Sequence, residues 1–395
     1  MTNDSVGAKS RVLIVDDQSD VARTLATLLP AERFDVVFAE DGEEGLKRIL
    51  GGIFDLVIVD LRMPPEQWGG LWLLEQLAVH PGEHAVLVMS GEGGQRETIR
   101  AQRLGALDFV VKESAQEELL HRVEECLTTA SSRRLSLTPQ RLPRPLAVAV
   151  SRMDATADLD HQLRAGLQAV EAALRHAALC DLGHRRRLGR LDTSLTARLA
   201  SPSMGTWNEI CRQAGKARDR KVSAWTQIVD VPAAESLIAL RNALAHGSQQ
   251  PRATIQQGLL ECRRWLDRYF VAVERRNPPP IKLARALRYE APIFHVETLS
   301  LMGVGHASRV ESDPRDQPLE AGHVYLFEEE TIDLWPFYVA TEGATVGTFE
   351  LQLWDGYRAT VRGVASLGDR TRHTNVDTGE RVMGMATVGD IIGPV

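Results

Sequence analysis

From Arg11 to Leu127, short apolar runs alternate with apolar positions at helical spacing. The runs Arg11–Val15, Asp35–Ala39, Phe54–Val59, Ala85–Met89 and Leu107–Val111 are rich in Val, Ile and Leu. Strands covered on both faces of a parallel sheet read this way, because neither side of the strand meets water. Between them Val21, Leu25 and Leu28 recur at helical spacing, as do Leu119, Val123 and Leu127. Ser114 with Glu117 three residues on predicts a capping box at the start of the last helix. Five βα units in about 120 residues predict a doubly wound α/β sheet, whose ligands sit at the carboxyl ends of its strands.

The pattern then changes. Thr128 to Pro145, with paired arginines, serines and prolines, predicts a linker. Residues 155–275 read as all-helical, with Leu159, Leu163, Leu167, Val170 and Leu174 on one apolar stripe. Asn277 and Pro278, Pro279 and Pro280 end that pattern. Further on the period becomes 2: Phe349, Leu351 and Leu353 alternate with Glu350 and Gln352. Asp355-Gly356 predicts a two-residue hairpin turn before Tyr357, Ala359 and Val361. The expected order is an α/β domain over 10–128, a linker over 129–150, a helical domain over 151–277 and a β-rich domain over 281–395.

Composition narrows the class. At 395 residues, 44% hydrophobic and 25% charged, the chain reads as globular with two or three domains. No apolar run is long enough for a membrane span and the N-terminus lacks a signal-peptide pattern, so a cytoplasmic protein without a membrane partner is expected. Cys126, Cys180, Cys211 and Cys262 match no metal or disulfide spacing and are expected as reduced, buried thiols. Charge is uneven: −11 over residues 1–130, +4 over 131–150, +7 over 151–280 and −7 over 281–395. Such sign changes mark domain borders, and the basic block suits either an anionic partner or a solvated arginine face.

Asp16 and Asp17 follow the first predicted strand and Asp60 follows the third. Those strand ends are neighbours in a doubly wound sheet, so three carboxylates converge. A hard divalent cation such as Mg²⁺ resolves their repulsion, in the arrangement that serves phosphoryl transfer. Ser90 ends the fourth strand with a hydroxyl for a phosphoryl oxygen, and Lys112 ends the fifth with a point charge for the same oxygens.

These residues stand in the stretches Val12-Leu-Ile-Val-Asp-Asp17, Asp60-Leu-Arg-Met-Pro64, Met89-Ser-Gly91 and Phe109-Val-Val-Lys112. The stretches resemble the receiver domain of two-component response regulators, which has a flavodoxin-like fold. The resemblance implies that Asp60 takes a phosphoryl group from the phosphohistidine of a sensor histidine kinase, with Asp16, Asp17 and Asp60 holding the metal. It also implies that Phe109 is the aromatic switch, turning inward when the Ser90 hydroxyl engages the phosphate. Three departures stand out. Pro64 to Gly70 is a longer turn than usual, Glu113 replaces the usual proline after Lys112, and Arg62 and Glu92 flank the site and are expected to pair.

In the helical block, Leu240-Arg-Asn-Ala-Leu-Ala-His-Gly247 resembles the Arg-polar-x-x-x-His signature of the HEPN family of helical nucleotide-binding and ribonuclease domains. Its matching residues are Arg241, Asn242 and His246. A neutral histidine can deprotonate an RNA 2′-hydroxyl while an arginine holds the phosphorane charge and Asn242 positions the phosphate, all without a metal. Arg241 and His246 lie about 140° apart on an ideal helix, so one helix face does not present both. Family members dimerise to line one cleft with two such motifs, which makes a homodimer expected. The plainer alternative has Arg241 bridging carboxylates and His246 meeting the helix dipole. Trp207 and Trp265 are expected in the core.

The C-terminal stretch shows no nucleophile–base pair, metal spacing or phosphate loop. Glu328-Glu-Glu330 is expected as a solvated turn, and Trp335-Pro-Phe-Tyr338 as the buried start of a strand. No helix-turn-helix DNA-binding motif follows the receiver stretch. Two outputs remain open: a metal-independent ribonuclease acting on RNA, or a non-enzymatic adaptor that dimerises or recruits a protein.

Overall fold

The computed structural model describes residues 9–392, apart from 53, 66, 80–84, 92–94, 156–157, 192, 219–220, 246–249, 305–309, 344–347 and 359–365. The chain divides into two compact units, Met1–Leu137 with Arg263–Arg275, and Thr138–Cys262 with Arg276–Val395.

The first unit alternates strands and helices: β1 (Ser10–Val15), α1 (Ser19–Thr27), β2 (Phe34–Ala39), α2 (Gly42–Gly51), β3 (Leu56–Asp60), α3 (Gly69–Val79), β4 (Val86–Ser90), α4 (Gln95–Arg103), β5 (Asp108–Val111) and α5 (Ala115–Leu137). The five strands are parallel in the order β2-β1-β3-β4-β5, as the sequence led us to expect of a doubly wound sheet. Successive residues feed opposite cores. Val12, Ile14, Leu56, Ile58, Leu87 and Met89 pack with Leu25, Leu119 and Val123, whereas Leu13, Val15, Val57, Val59 and Val88 pack with Ile49, Leu73 and Leu74. Two buried faces make the strands read as unbroken apolar runs. The Ser114 hydroxyl donates to the Val111 carbonyl at 3.1 Å, ahead of α5, rather than closing the expected capping box.

The second unit contains α6 (Arg144–Ser151), α7 (Leu159–Arg187), α8 (Thr193–Arg198), α9 (Met204–Lys216), α10 (Ala224–Gln227), α11 (Ala234–Ala245) and the first part of α12 (Arg252–Arg276). Then come β6 (Ile281–Glu290), β7 (Ile293–Ser300), β8 (Val310–Arg315), β9 (Val324–Phe327), β10 (Thr331–Asp333), β11 (Tyr338–Glu342), β12 (Phe349–Tyr357), β13 (Arg370–Asn375), β14 (Arg381–Thr387) and α13 (Val388–Ile392). They form a five-stranded sheet, β10-β9-β6-β7-β8, and a four-stranded sheet, β11-β12-β13-β14.

Three expectations about organisation differ from what is found. The stretch expected as linker ends in α6; Leu142 just ahead of it and Leu146, Ala147 and Val150 within it are buried, and Arg144 reaches Asp377 at 3.0 Å. The apolar run Leu-Ala-Val-Ala-Val outweighs the arginines and prolines before it. Second, the helical and β-rich stretches share one interior. His176 Nδ1 lies 2.6 Å from the Tyr338 hydroxyl, His184 Nε2 lies 3.0 Å from Glu328, and the Trp225 indole donates to the Pro279 carbonyl at 2.8 Å. Third, Asp355-Gly356 is no hairpin turn. β12 runs through it with a bulge between Trp354 and Gly356, and pairs with β13. Gly356 takes φ +115° and approaches the Ala200 carbonyl, which accepts from the Tyr357 N–H at 3.0 Å. Only glycine suits that backbone, and the contact is non-local. Ala359 and Val361, the expected return strand, lie outside the described residues.

Other expectations hold. All four cysteines are free and buried, and burial pushes the Cys126 thiol up to about 12. Trp207 and Trp265 are buried, as are Phe337 and Tyr338. Glu328 departs from the solvated turn expected of its triplet: its side chain is only 7% exposed and accepts from Ser223 and the Ala224 N–H, while Glu329 and Glu330 reach Lys221 and Arg187.

Candidate functional site

β1 and β3 run side by side with Val15 opposite Val59, so the residues that follow or end them meet at one edge. Asp16 and Asp60 are 2% and 4% exposed, too buried to be ordinary surface acids. Asp17 is exposed, yet one carboxylate oxygen from each of the three lies within 4.8 Å of the others. The Asp16 carboxylate also accepts from the Gln18 N–H at 2.9 Å, which fixes its orientation.

β5 brings Lys112 to the same point. Its ammonium lies 2.9 Å from Asp16 Oδ2 and 2.9 Å from Asp60 Oδ2. Burial pushes the Asp60 carboxyl up; Lys112 opposes this, the Asp16 charge adds to it, and the Arg62 N–H donated to the carboxylate opposes it further. Burial alone would lower the Lys112 ammonium, but its two carboxylate partners outweigh that and hold it above the usual lysine value. Three carboxylates against one ammonium leave two negative charges uncompensated. Hard oxygen donors with that excess fit a small divalent cation, with Asp16, Asp17 and Asp60 as the available ligands.

Ser90 ends β4 beside Val111, in backbone reach of the site; its side chain lies outside the described residues. Phe109 sits on β5 and is 39% exposed. Glu113 is exposed. The expected Arg62–Glu92 pair involves Glu92, which lies outside the described residues. Arg62 stacks over Trp68, with the guanidinium 5.2 Å from the ring centre.

Gly69 and Gly70 close the turn noted as longer than usual, and the sequence reading gave them no role of their own. They open α3, and a Cβ on Gly70 would collide with the Asp60 carbonyl, while one on Gly69 would collide with that of Pro64. Gly69 N–H donates to Met63 at 2.7 Å, and Pro64 accepts from Gly42 at 2.9 Å. The lengthened turn therefore folds back on the backbone of Asp60. A Gly-Gly pair at a predicted helix start was the available signal.

The second cluster is not brought together in the same way. Arg241 lies on α11 with its guanidinium 3.8 Å from Glu171 of α7, and Asn242 is exposed. Burial raises the Glu171 carboxyl, with Arg241 and Arg175 opposing. His246 and Gly247 lie outside the described residues.

Three convergent carboxylates, two of them buried, and an opposed lysine thus lie at the carboxyl edge of a parallel doubly wound sheet, where α/β domains of this class bind their ligands. Residues 12–124 match the family model described as response regulator receiver domain, and this part of the chain is such a domain. It is similar to the transcriptional regulatory protein DltR of Streptococcus agalactiae, 30% identical over 113 residues, covering 29% of this chain and 50% of that protein. It is also similar to the cell cycle response regulator CtrA of Brucella ovis, 30% identical over 115 residues, 29% of this chain and 48% of that protein. The chain thus spans about half the length of the curated relatives it matches. Among solved structures, a putative response regulator from Chloroflexus aurantiacus aligns at 29% identity with a TM-score of 0.29, over 31% of this chain and 99% of that one. Among the described residues, no helix is long and apolar enough to cross a membrane.

Proposed function

We propose that the protein is a response regulator of a two-component phosphorelay in which Asp60 accepts the phosphoryl group of a sensor histidine kinase. The observation that carries this reading is the Lys112 ammonium placed 2.9 Å from both Asp16 and Asp60. An Asp60 carboxylate oxygen attacks the phosphorus of a phosphohistidine, the P–N bond breaks, and its electron pair returns to the imidazole. Lys112 meets the charge of the transferred oxygens, and Asp16 keeps that lysine aimed. Mg²⁺ on Asp16, Asp17 and Asp60 would neutralise charge between carboxylates and phosphoryl oxygens. The Ser90 hydroxyl donates to a phosphoryl oxygen and Phe109 turns inward as the switch. The test is labelling by a small phosphodonor in Mg²⁺. Asp60→Ala should abolish it, and undiminished labelling would overturn the assignment.

For the output we favour the adaptor over the HEPN-like ribonuclease, with the second unit serving homodimerisation or recruitment of a protein. Arg241 is engaged by Glu171, as a structural arginine is, which supports this choice. Cleavage of RNA by the full chain, lost in Arg241→Ala and His246→Ala, would reverse it.

A further inference from the structure

β9 covers only the first part of β6. Their pairing runs from Ile281 to Leu283, after which the Ala284 N–H donates to the His323 carbonyl at 2.9 Å and its carbonyl accepts from the Gly322 N–H at 2.7 Å. β6 then bulges at Arg285, whose guanidinium lies 5.2 Å from the centre of the Phe349 ring. From Ala286 to Glu290 the strand pairs with β7 on one side, has no strand on the other among the described residues, and is exposed throughout. Opposite residues share a sheet face, so Leu287 with Val296 and Tyr289 with Phe294 line one apolar strip. Its root is Val296, fully buried with Ala284, Tyr325 and Phe327, whereas Leu287 and Tyr289 are 41% and 59% exposed. The far edge of the same sheet is guarded: β8 carries Pro314, which has no N–H to offer, amid Glu311, Asp313 and Arg315. Ala286–Glu290 contains no proline.

We propose that a second copy of this chain occupies the open edge: Ala286–Glu290 of two subunits pair antiparallel about a two-fold axis, continuing the sheet from one subunit into the other. The proposal rests on the reading of the second unit as a homodimerising element and names the surface it uses. An open strand edge presents alternating N–H and C=O groups, whose complement is another strand. A two-fold axis normal to the sheet reverses the strand but keeps its faces, so the two apolar strips join into one. With the five open residues centred on each other, Leu287 lies opposite the partner's Tyr289, Ala286 opposite the partner's Glu290, and Arg288 opposite the partner's Arg288. Arg288 is ion-paired with Glu290 of its own strand, and this register sets it diagonally beside the partner's Glu290 as well. Each guanidinium then lies between two carboxylates. The segment is complementary to itself in apolar pattern and in charge, which singles out a second copy as the occupant. Five residues a side make a small interface, so the dimer should dissociate on dilution.

The experiment measures the association of the full chain by sedimentation over a range of concentrations. The wild type should show a monomer–dimer equilibrium, with amide exchange in Ala286–Glu290 slowed where the dimer predominates. Tyr289→Lys, at an exposed position, should weaken association about tenfold or more. Arg288→Glu and Glu290→Arg should do the same, because each gathers four like charges at the centre of the pairing. Mixing the Arg288→Glu chain with the Glu290→Arg chain should restore association as a heterodimer, which an ion pair acting only within one strand cannot do. A dimer as strong in all three variants as in wild type, or a mixture no stronger than either charge variant alone, overturns this edge as the interface and leaves homodimerisation elsewhere on the chain standing. A wild type monomeric at every concentration overturns the homodimer itself, and this inference with it.

Discussion

Arg268 holds Asp55 across 213 residues of sequence, its Nε 3.4 Å from both carboxylate oxygens. Asp55 precedes β3 and also accepts from the Arg11 N–H at 2.7 Å, so one carboxylate ties β1, β3 and the distant segment Arg263–Arg275 into the first unit. Arg268 further donates to the Lys9 carbonyl and Arg275 to that of Gly52. This end of β3 is opposite the end that carries Asp60. Arg268→Ala should cost about 1–3 kcal/mol, since it leaves a buried carboxylate short of a partner. Urea unfolding, with hydrogen exchange in β1 and β3, checks it; unchanged protection would mean the receiver fold does not depend on this segment.

Asp60 gives a pH prediction whose sign follows from burial. Its carboxyl is raised in the folded state, so the ionised form opposes folding. Stability without a divalent cation should fall as pH rises from the unfolded-state value near ~4 through the raised folded value, and the penalty should persist above it. Asp60→Asn should therefore be more stable than wild type at neutral pH without Mg²⁺, and no more stable at low pH. Mg²⁺ should stabilise wild type far more than it stabilises Asp60→Asn. Melting curves over pH with and without Mg²⁺ decide this, and equal stabilisation of the two proteins would count against the metal site.

Glu328 behaves in the opposite sense. Burial would raise its carboxyl, but hydrogen bonds from His184, the Ala224 N–H and Ser223 outweigh burial and hold it below the usual range. A depressed carboxyl contributes stability that is complete above the unfolded-state value and disappears as pH falls through the folded one. Glu328→Gln should cost about 1–3 kcal/mol at neutral pH, and the difference should shrink on acidification. Denaturation at neutral and acidic pH measures it. A penalty that did not vary with pH would assign the loss to packing.

Leu146 tests whether the stretch expected as a linker belongs to the second unit. Its side chain is fully buried in α6. Leu146→Ala should cost about 2–5 kcal/mol, as deletions in packed cores do. A linker leucine would cost almost nothing, so the unfolding midpoint separates the two.

The receiver was legible in the sequence because every feature of it is local or repeats. Doubly covered strands announce themselves as apolar runs, and Asp16, Asp17, Asp60 and Lys112 each sit at the end of such a run, so strand order alone brings them together. What the sequence could not determine depends on distant groups. Whether Asp355-Gly356 turns or bulges was settled by the carbonyl of Ala200 beneath it. Glu328 was read as solvated because its partners, His184 and Ser223, lie more than a hundred residues away. Arg268 carried no local sign of its carboxylate. Local pattern records which faces are covered; only the tertiary structure decides what covers them, because burial and ion pairing act through space between residues the chain keeps far apart.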